Sequence, residues 1–206
     1  MVNLVIALEC FSICLIVIAL LLLLNGDGAK EQKMLILMMC GTLVQNVGYL
    51  LELTAPTLEA AMTAVTVENV GSAFVPLFYC WFLYIYCYIT PPKTFLRVLS
   101  AISFFALPSV FFNWYGLFYQ EVRWSADADG FYHISITYGP LYVLFLFSRI
   151  IIPYTLCIYT LVRAIRERSD RQVNRQYWTI LGISTLPVIV LAAYICKWVS
   201  VFDLTP

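Results

Sequence analysis

Six apolar stretches, each about as long as a bilayer is thick, constrain this chain more than any other feature. They fall at residues 3–24, 34–53, 64–89, 95–112, 138–162 and 176–200. A hydrocarbon core about 30 Å thick takes about 20 residues of helix to cross. Backbone groups cannot face lipid unpaired, so runs of this length are expected to be helices rather than open sheet. The fold class expected is therefore an all-α polytopic membrane protein with six transmembrane helices, forming a single domain over residues 1–206.

Composition agrees: 62% of the 206 residues are hydrophobic and 12% charged, well outside the range of ordinary soluble domains. Formal net charge is zero, and no basic cluster accompanies a nucleic-acid module, which excludes nucleic acid as a partner. The first run reaches Leu24 without a basic leader or a small-residue cleavage site, so it reads as a retained helix rather than a signal peptide. Seven cysteines, at positions 10, 14, 40, 80, 87, 157 and 196, lie in apolar runs without C-x-x-C spacing. They read as small apolar side chains.

Basic residues resist translocation, so their distribution orients the bundle. Lys30, Lys33, Lys93, Arg97, Arg163, Arg166, Arg168, Arg171 and Arg175 fall on one side, against Arg123 and Lys197 on the other. The nine mark the cytoplasm and place the N-terminus outside. Six crossings would return the C-terminus to the outer side, an unexpected end for a protein that signals inward. The arginine-rich segment 163–178 is expected to extend the fifth helix into water, against anionic lipid or a cytoplasmic output domain.

Between the fourth and fifth runs, residues 113–137 are expected to form an extracellular β-hairpin. Asp127-Ala128-Asp129-Gly130 is a turn signal, flanked by alternation of Gln120, Val122 and Trp124 and of Tyr132, Ile134 and Ile136. A hairpin alone is marginal in water, so its aromatic face should rest on the mouth of the bundle; the same aromatics would also suit an interfacial belt. Gly41, Gly48, Gly71, Pro76, Pro108, Pro140, Pro153, Gly182 and Pro187 interrupt five of the six cores. Such residues either open cavities by bending helices or reflect only the usual composition of membrane helices.

Ionisable residues within spans are costly and become functional candidates by default. Leaving aside Arg97 and Lys197 at span ends, they are Glu9, Glu52, Glu68 and Arg149. Helical spacing puts Gln45, Tyr49 and Glu52 on one face, Glu68, Ser72, Val75 and Tyr79 on another, and Tyr138, Tyr142, Phe145, Arg149 and Pro153 on a third. Arg149 is expected to pair with Glu68 at the floor of an outward-facing cavity roofed by the hairpin, unless its pairing serves stability alone. The expected ligand-binding set is Glu52, Glu68, Arg149, Tyr49, Ser72, Tyr142, Tyr138 and Trp114, for a small polar or cationic ligand. His133, the single histidine, cannot assemble a zinc site. Ser72, Ser148 and Ser184 have no histidine base on any helix. No catalytic residue, metal or cofactor is expected.

Val47-Gly-Tyr-Leu-Leu-Glu-Leu-Thr-Ala-Pro-Thr-Leu-Glu-Ala-Ala61, Val67-Glu-Asn-Val-Gly-Ser-Ala-Phe-Val-Pro-Leu77 and Tyr138-Gly-Pro-Leu-Tyr142 resemble the N-terminal seven-helix sensor region of bacterial histidine kinases and diguanylate cyclases. The resemblance spans about residues 4–200, with Glu52, Glu68 and Pro76 as the matching glutamates and helix-3 proline. It implies an N-out bundle that senses a ligand outside or in the membrane and relays its state, by helix repacking, to a cytoplasmic kinase or cyclase, fused or recruited. A homodimer is compatible with this reading. Measured against the resemblance, a seventh helix and an output domain are missing from these residues, which implies either a longer product or a recruited partner. The alternative is a small transporter or channel subunit, but no internal repeat is visible and the charges concentrate in the outer half.

Overall fold

The computed structural model of the chain describes residues 2–90, 93–126, 132–146, 151–167 and 171–195. It is mostly helical: α1 (Val2–Leu24), α2 (Lys30–Leu53), α3 (Leu58–Ala73), α4 (Val75–Tyr86) and α5 (Lys93–Phe112) precede a hairpin of β1 (Tyr119–Ala126) and β2 (Tyr132–Tyr138), and α6 (Pro140–Leu146), α7 (Ile152–Glu167) and α8 (Arg171–Ile195) follow. Among the described residues, Asn3–Leu24, Lys30–Leu53 and Leu58–Tyr86 are long and apolar enough to cross a membrane. The surface of α1 shows why water is the wrong solvent. Leu4, Leu8, Phe11, Ile18 and Leu22 each expose more than half their area, an apolar face that only lipid accommodates.

Several boundaries differ from those expected. The third run, expected as one helix over 64–89, starts at Leu58 because the Thr57 side chain caps it, accepting a hydrogen bond from the Ala60 amide at 3.2 Å. It then divides at Phe74, where Pro76 at the start of α4 has no amide hydrogen to continue the α3 ladder. The fifth run, expected over 138–162, begins at Pro140 because Tyr138 still belongs to β2, and it is described as α6 up to Leu146 and as α7 from Ile152 to Glu167. The sixth starts at Arg171 rather than residue 176.

Helix α2 is the organising element, packing against α1, α3 and α4. Its contact with α3 is close because both helices present glycine. A Cβ on Gly48 would stand 2.5 Å from the Glu68 amide nitrogen, and one on Gly41 would stand 2.9 Å from the Gly71 carbonyl oxygen. Small residues let membrane helices meet backbone to backbone. The α1–α2 contact carries a polar tie, the Asn46 amide donating to the Ser12 hydroxyl at 2.9 Å.

A second core joins α4, α5, α7 and α8 through Leu77, Cys80, Leu83, Leu99, Leu161 and Tyr177. Helix α7 turns Pro153, Cys157, Thr160, Leu161 and Ala164 inward. Two tyrosines reach α8 from α4: Tyr79 is hydrogen-bonded to Ser184, and Tyr86 donates to the Gln176 side-chain oxygen at 3.1 Å.

Candidate functional site

The hairpin forms and rests on the bundle. Its strands pair antiparallel with Val122 opposite Ile136 and Trp124 opposite Ile134. Ile134, Ile136, Phe118 and Tyr119 are buried against Ala61 and Val65 of α3 and Phe145 of α6. An irregularity in register between Tyr119 and Glu121 changes one expectation. Gln120 does not share the inward face of Val122 and Trp124 but is exposed, and Tyr119 turns inward instead. An extra residue in one strand shifts the alternation by one. The turn at 127–130 lies outside the described residues.

Asn113 fixes the entry to the hairpin. Its side-chain oxygen accepts from the Phe118 and Tyr119 amides at 3.3 and 2.8 Å, and its side-chain nitrogen donates to the Tyr119 carbonyl at 2.9 Å. Its φ of 37° lies in the left-handed region that asparagine tolerates better than most residues. Asn113→Ala strands three backbone groups, so it should destabilise the hairpin by about 2 kcal/mol. Faster hydrogen exchange at the amides of 118–126, with α2 unchanged, is the expected result.

Beneath the hairpin stand several of the residues expected to bind ligand. Glu52 of α2 and Glu68 of α3 are close enough to feel each other's charge. Tyr49, one turn before Glu52, lies in the field of Glu52, Glu9 and Glu68. Tyr138 and Tyr142 stack with ring centroids 3.7 Å apart, and Phe118 meets Tyr142 and Phe145 at 5.5 and 5.7 Å. Tyr119 and Tyr138 also sense Glu68 and Glu52. One carboxylate oxygen each of Glu9 and Glu52 is buried without a hydrogen-bond partner among the described residues.

Ser72 is placed differently from the expectation. It is buried, but its hydroxyl donates to the Glu68 and Asn69 carbonyls of its own helix at 2.8 and 3.2 Å, near the break at Phe74 where the helical ladder ends. Tyr79, expected on the same stripe, points to α8. Arg149 and its pairing with Glu68 lie outside the described residues, as do the side chains of Trp114 and His133. An open groove of about 510 Å³ between the C-terminal end of α2 and the N-terminal half of α3 is lined by Leu51, Thr54, Thr63 and Val67 among others, not by Glu52 or Glu68.

Asn69 and Tyr119 were not expected at this site. The Asn69 amide donates to the Tyr119 hydroxyl at 3.2 Å and to the Val65 carbonyl at 3.0 Å, tying α3 to the hairpin. The signal in the sequence was a second polar residue beside Glu68 inside an apolar run. Burial, with Tyr142 and Glu68 nearby, pushes the Tyr119 hydroxyl above its ordinary pKa. It therefore remains a proton donor at any physiological pH.

The family described as the N-terminal seven-transmembrane region of histidine kinases matches residues 7–206. The chain belongs to this family. No curated protein and no solved structure matches it. As a histidine-kinase seven-transmembrane region, it is a membrane protein of sensor type. The expectation drawn from the quoted motifs of α2 to α6 is met at that level.

Proposed function

We propose that this region senses a small organic cation from the outer face of a bacterial plasma membrane and relays its presence to a cytoplasmic output by repacking its helices. The observation that carries this reading is the close approach of α2, with Tyr49 and Glu52 beside Gly48, to Glu68 of α3, within electrostatic reach of the stacked Tyr138 and Tyr142. Acidic oxygens and stacked tyrosine faces both attract an ammonium group. The basic-residue pattern supports six crossings with the N-terminus outside. The site is contributed by α1, α2, α3, α6 and the hairpin, so a ligand that favours one packing of these elements shifts the whole bundle toward it. In this reading the region binds without catalysing a reaction.

A thermal-shift screen of the purified protein against amines, amino acids and nucleobases tests the proposal. A ligand at about a hundredfold excess over its Kd stabilises by about 2.7 kcal/mol, which raises the midpoint by roughly 5–10 °C. Glu68→Gln should weaken that ligand roughly 10- to 100-fold by removing a charge-assisted hydrogen bond. Hits restricted to neutral compounds, or hits untouched by Glu68→Gln, would remove the carboxylates from the site. Flux of the ligand into liposomes would make the protein a transporter instead.

A further inference from the structure

We infer that Cys80 and Cys157 form a redox-sensitive clamp between α4 and α7, closed to a disulfide by a small uncharged peroxide. The two sulfurs stand 3.6 Å apart on helices that pack directly against each other. Both cysteines are free, and each is 1% exposed. Cys10 and Cys14 on α1 and Cys40 on α2 are exposed, and Cys196 lies outside the described residues. Cys87, just past the end of α4, lies two helical turns from Cys80, about 10 Å along the axis. The facing pair is thus 80 with 157, and neither thiol is used by the outer site.

The reaction balances without a further reagent. One sulfur attacks the peroxide O–O bond, gaining an S–O bond while the thiol proton leaves with the departing oxygen as water. The second thiol attacks this sulfenic sulfur, forming the S–S bond and expelling a second water. Two thiols lose two electrons in all, and one hydrogen peroxide is reduced to two waters. Burial in an apolar core excludes charged oxidants such as oxidised glutathione, so a small uncharged peroxide entering as the helix packing breathes is the oxidant the site requires.

Closure has a structural consequence. A disulfide holds its sulfurs about 2.05 Å apart, so bond formation draws the pair together by about 1.5 Å. The Cys80 thiol also donates to the Pro153 carbonyl at 3.5 Å, and that contact must rearrange when the proton is lost. Helix α7 follows α6, which packs under the hairpin, and also packs on α8. A covalent tie at Cys157 therefore holds the connection between the outer site and α8 in one packing.

The test treats the full chain in lipid nanodiscs with hydrogen peroxide, blocks remaining thiols with N-ethylmaleimide and maps the digest without reductant. The expected product is a peptide pair joined through Cys80 and Cys157, reversed by dithiothreitol, with a thermal midpoint about 5 °C or more above that of the reduced protein. Cys87→Ser should keep both results, and Cys157→Ser should lose both. The linked-peptide result in the unmutated chain stands even where a cysteine variant folds poorly. Sulfinic acid at Cys80 or Cys157 without the linked pair, a pairing through Cys87 or between chains, or a linked pair with no rise in midpoint would each overturn the clamp.

Discussion

Gly48→Leu is expected to separate α2 from α3 and leave little folded protein. The site has no room for even one carbon: a Cβ there would stand 2.5 Å from the Glu68 amide nitrogen and 2.8 Å from its Cα, both backbone atoms that cannot rotate away. The helices must part or unwind, at a cost of about 3 kcal/mol or more. That corresponds to a fall in the thermal midpoint of roughly 6–12 °C, measurable by size-exclusion chromatography after a temperature ramp. Gly182→Ala is the matched control, since a Cβ at Gly182 meets nothing within 4 Å and alanine favours the helix by up to about 1 kcal/mol. The same Gly48 contact sets Glu68 opposite α2, so any Gly48→Leu protein that survives should also lose response to the cations bound by the parent.

Phe118→Ala is expected to have the second largest effect, and on a different part of the molecule. Phe118 is fully buried, with its ring 4.8 Å from Tyr119, 5.5 Å from Tyr142 and 5.7 Å from Phe145. Removing a buried phenylalanine ring typically costs about 3–5 kcal/mol through lost burial and the cavity left behind. The loss falls where the hairpin meets α6, so the hairpin should detach before the helices unfold. Limited proteolysis should cut 118–138 in this variant while leaving α1 and α2 intact. Simultaneous cleavage throughout the chain would show that the hairpin and bundle form one cooperative unit.

The parts of this structure legible in the sequence are those controlled by apolar run length. α1 and α2 match their expected extents to within a few residues because a long run with polar flanks admits one solution in lipid. The hairpin was legible from the two-residue alternation of its strands, and its seat on the bundle followed from the marginal stability of a lone hairpin. The break at Phe74 was not read because residues on both sides are apolar, and hydropathy does not register a missing backbone donor. The outward turn of Gln120 was hidden because one extra residue reverses the alternation, and that insertion shows only in the pairing register. Glu52 and Glu68 were named as charges inside apolar runs, and Tyr49, Tyr138 and Tyr142 from helical spacing; their role as a binding set belongs to the proposal. Asn69 and Tyr119 join them across 50 residues of chain, a distance over which spacing rules carry no information. Ser72 illustrates the converse: spacing placed it on the correct helix face, but a hydroxyl in a membrane helix readily satisfies itself on its own backbone.

Hydrogen exchange measured with and without the best-binding organic amine tests the central claim most directly. The account predicts slower exchange in two places at once: around the site, at residues 45–70 and 118–142, and in α7 and α8, which do not contribute the carboxylates. Protection confined to the site would leave a binding protein without relay. Protection absent from residues 45–70 and 118–142 would contradict the account.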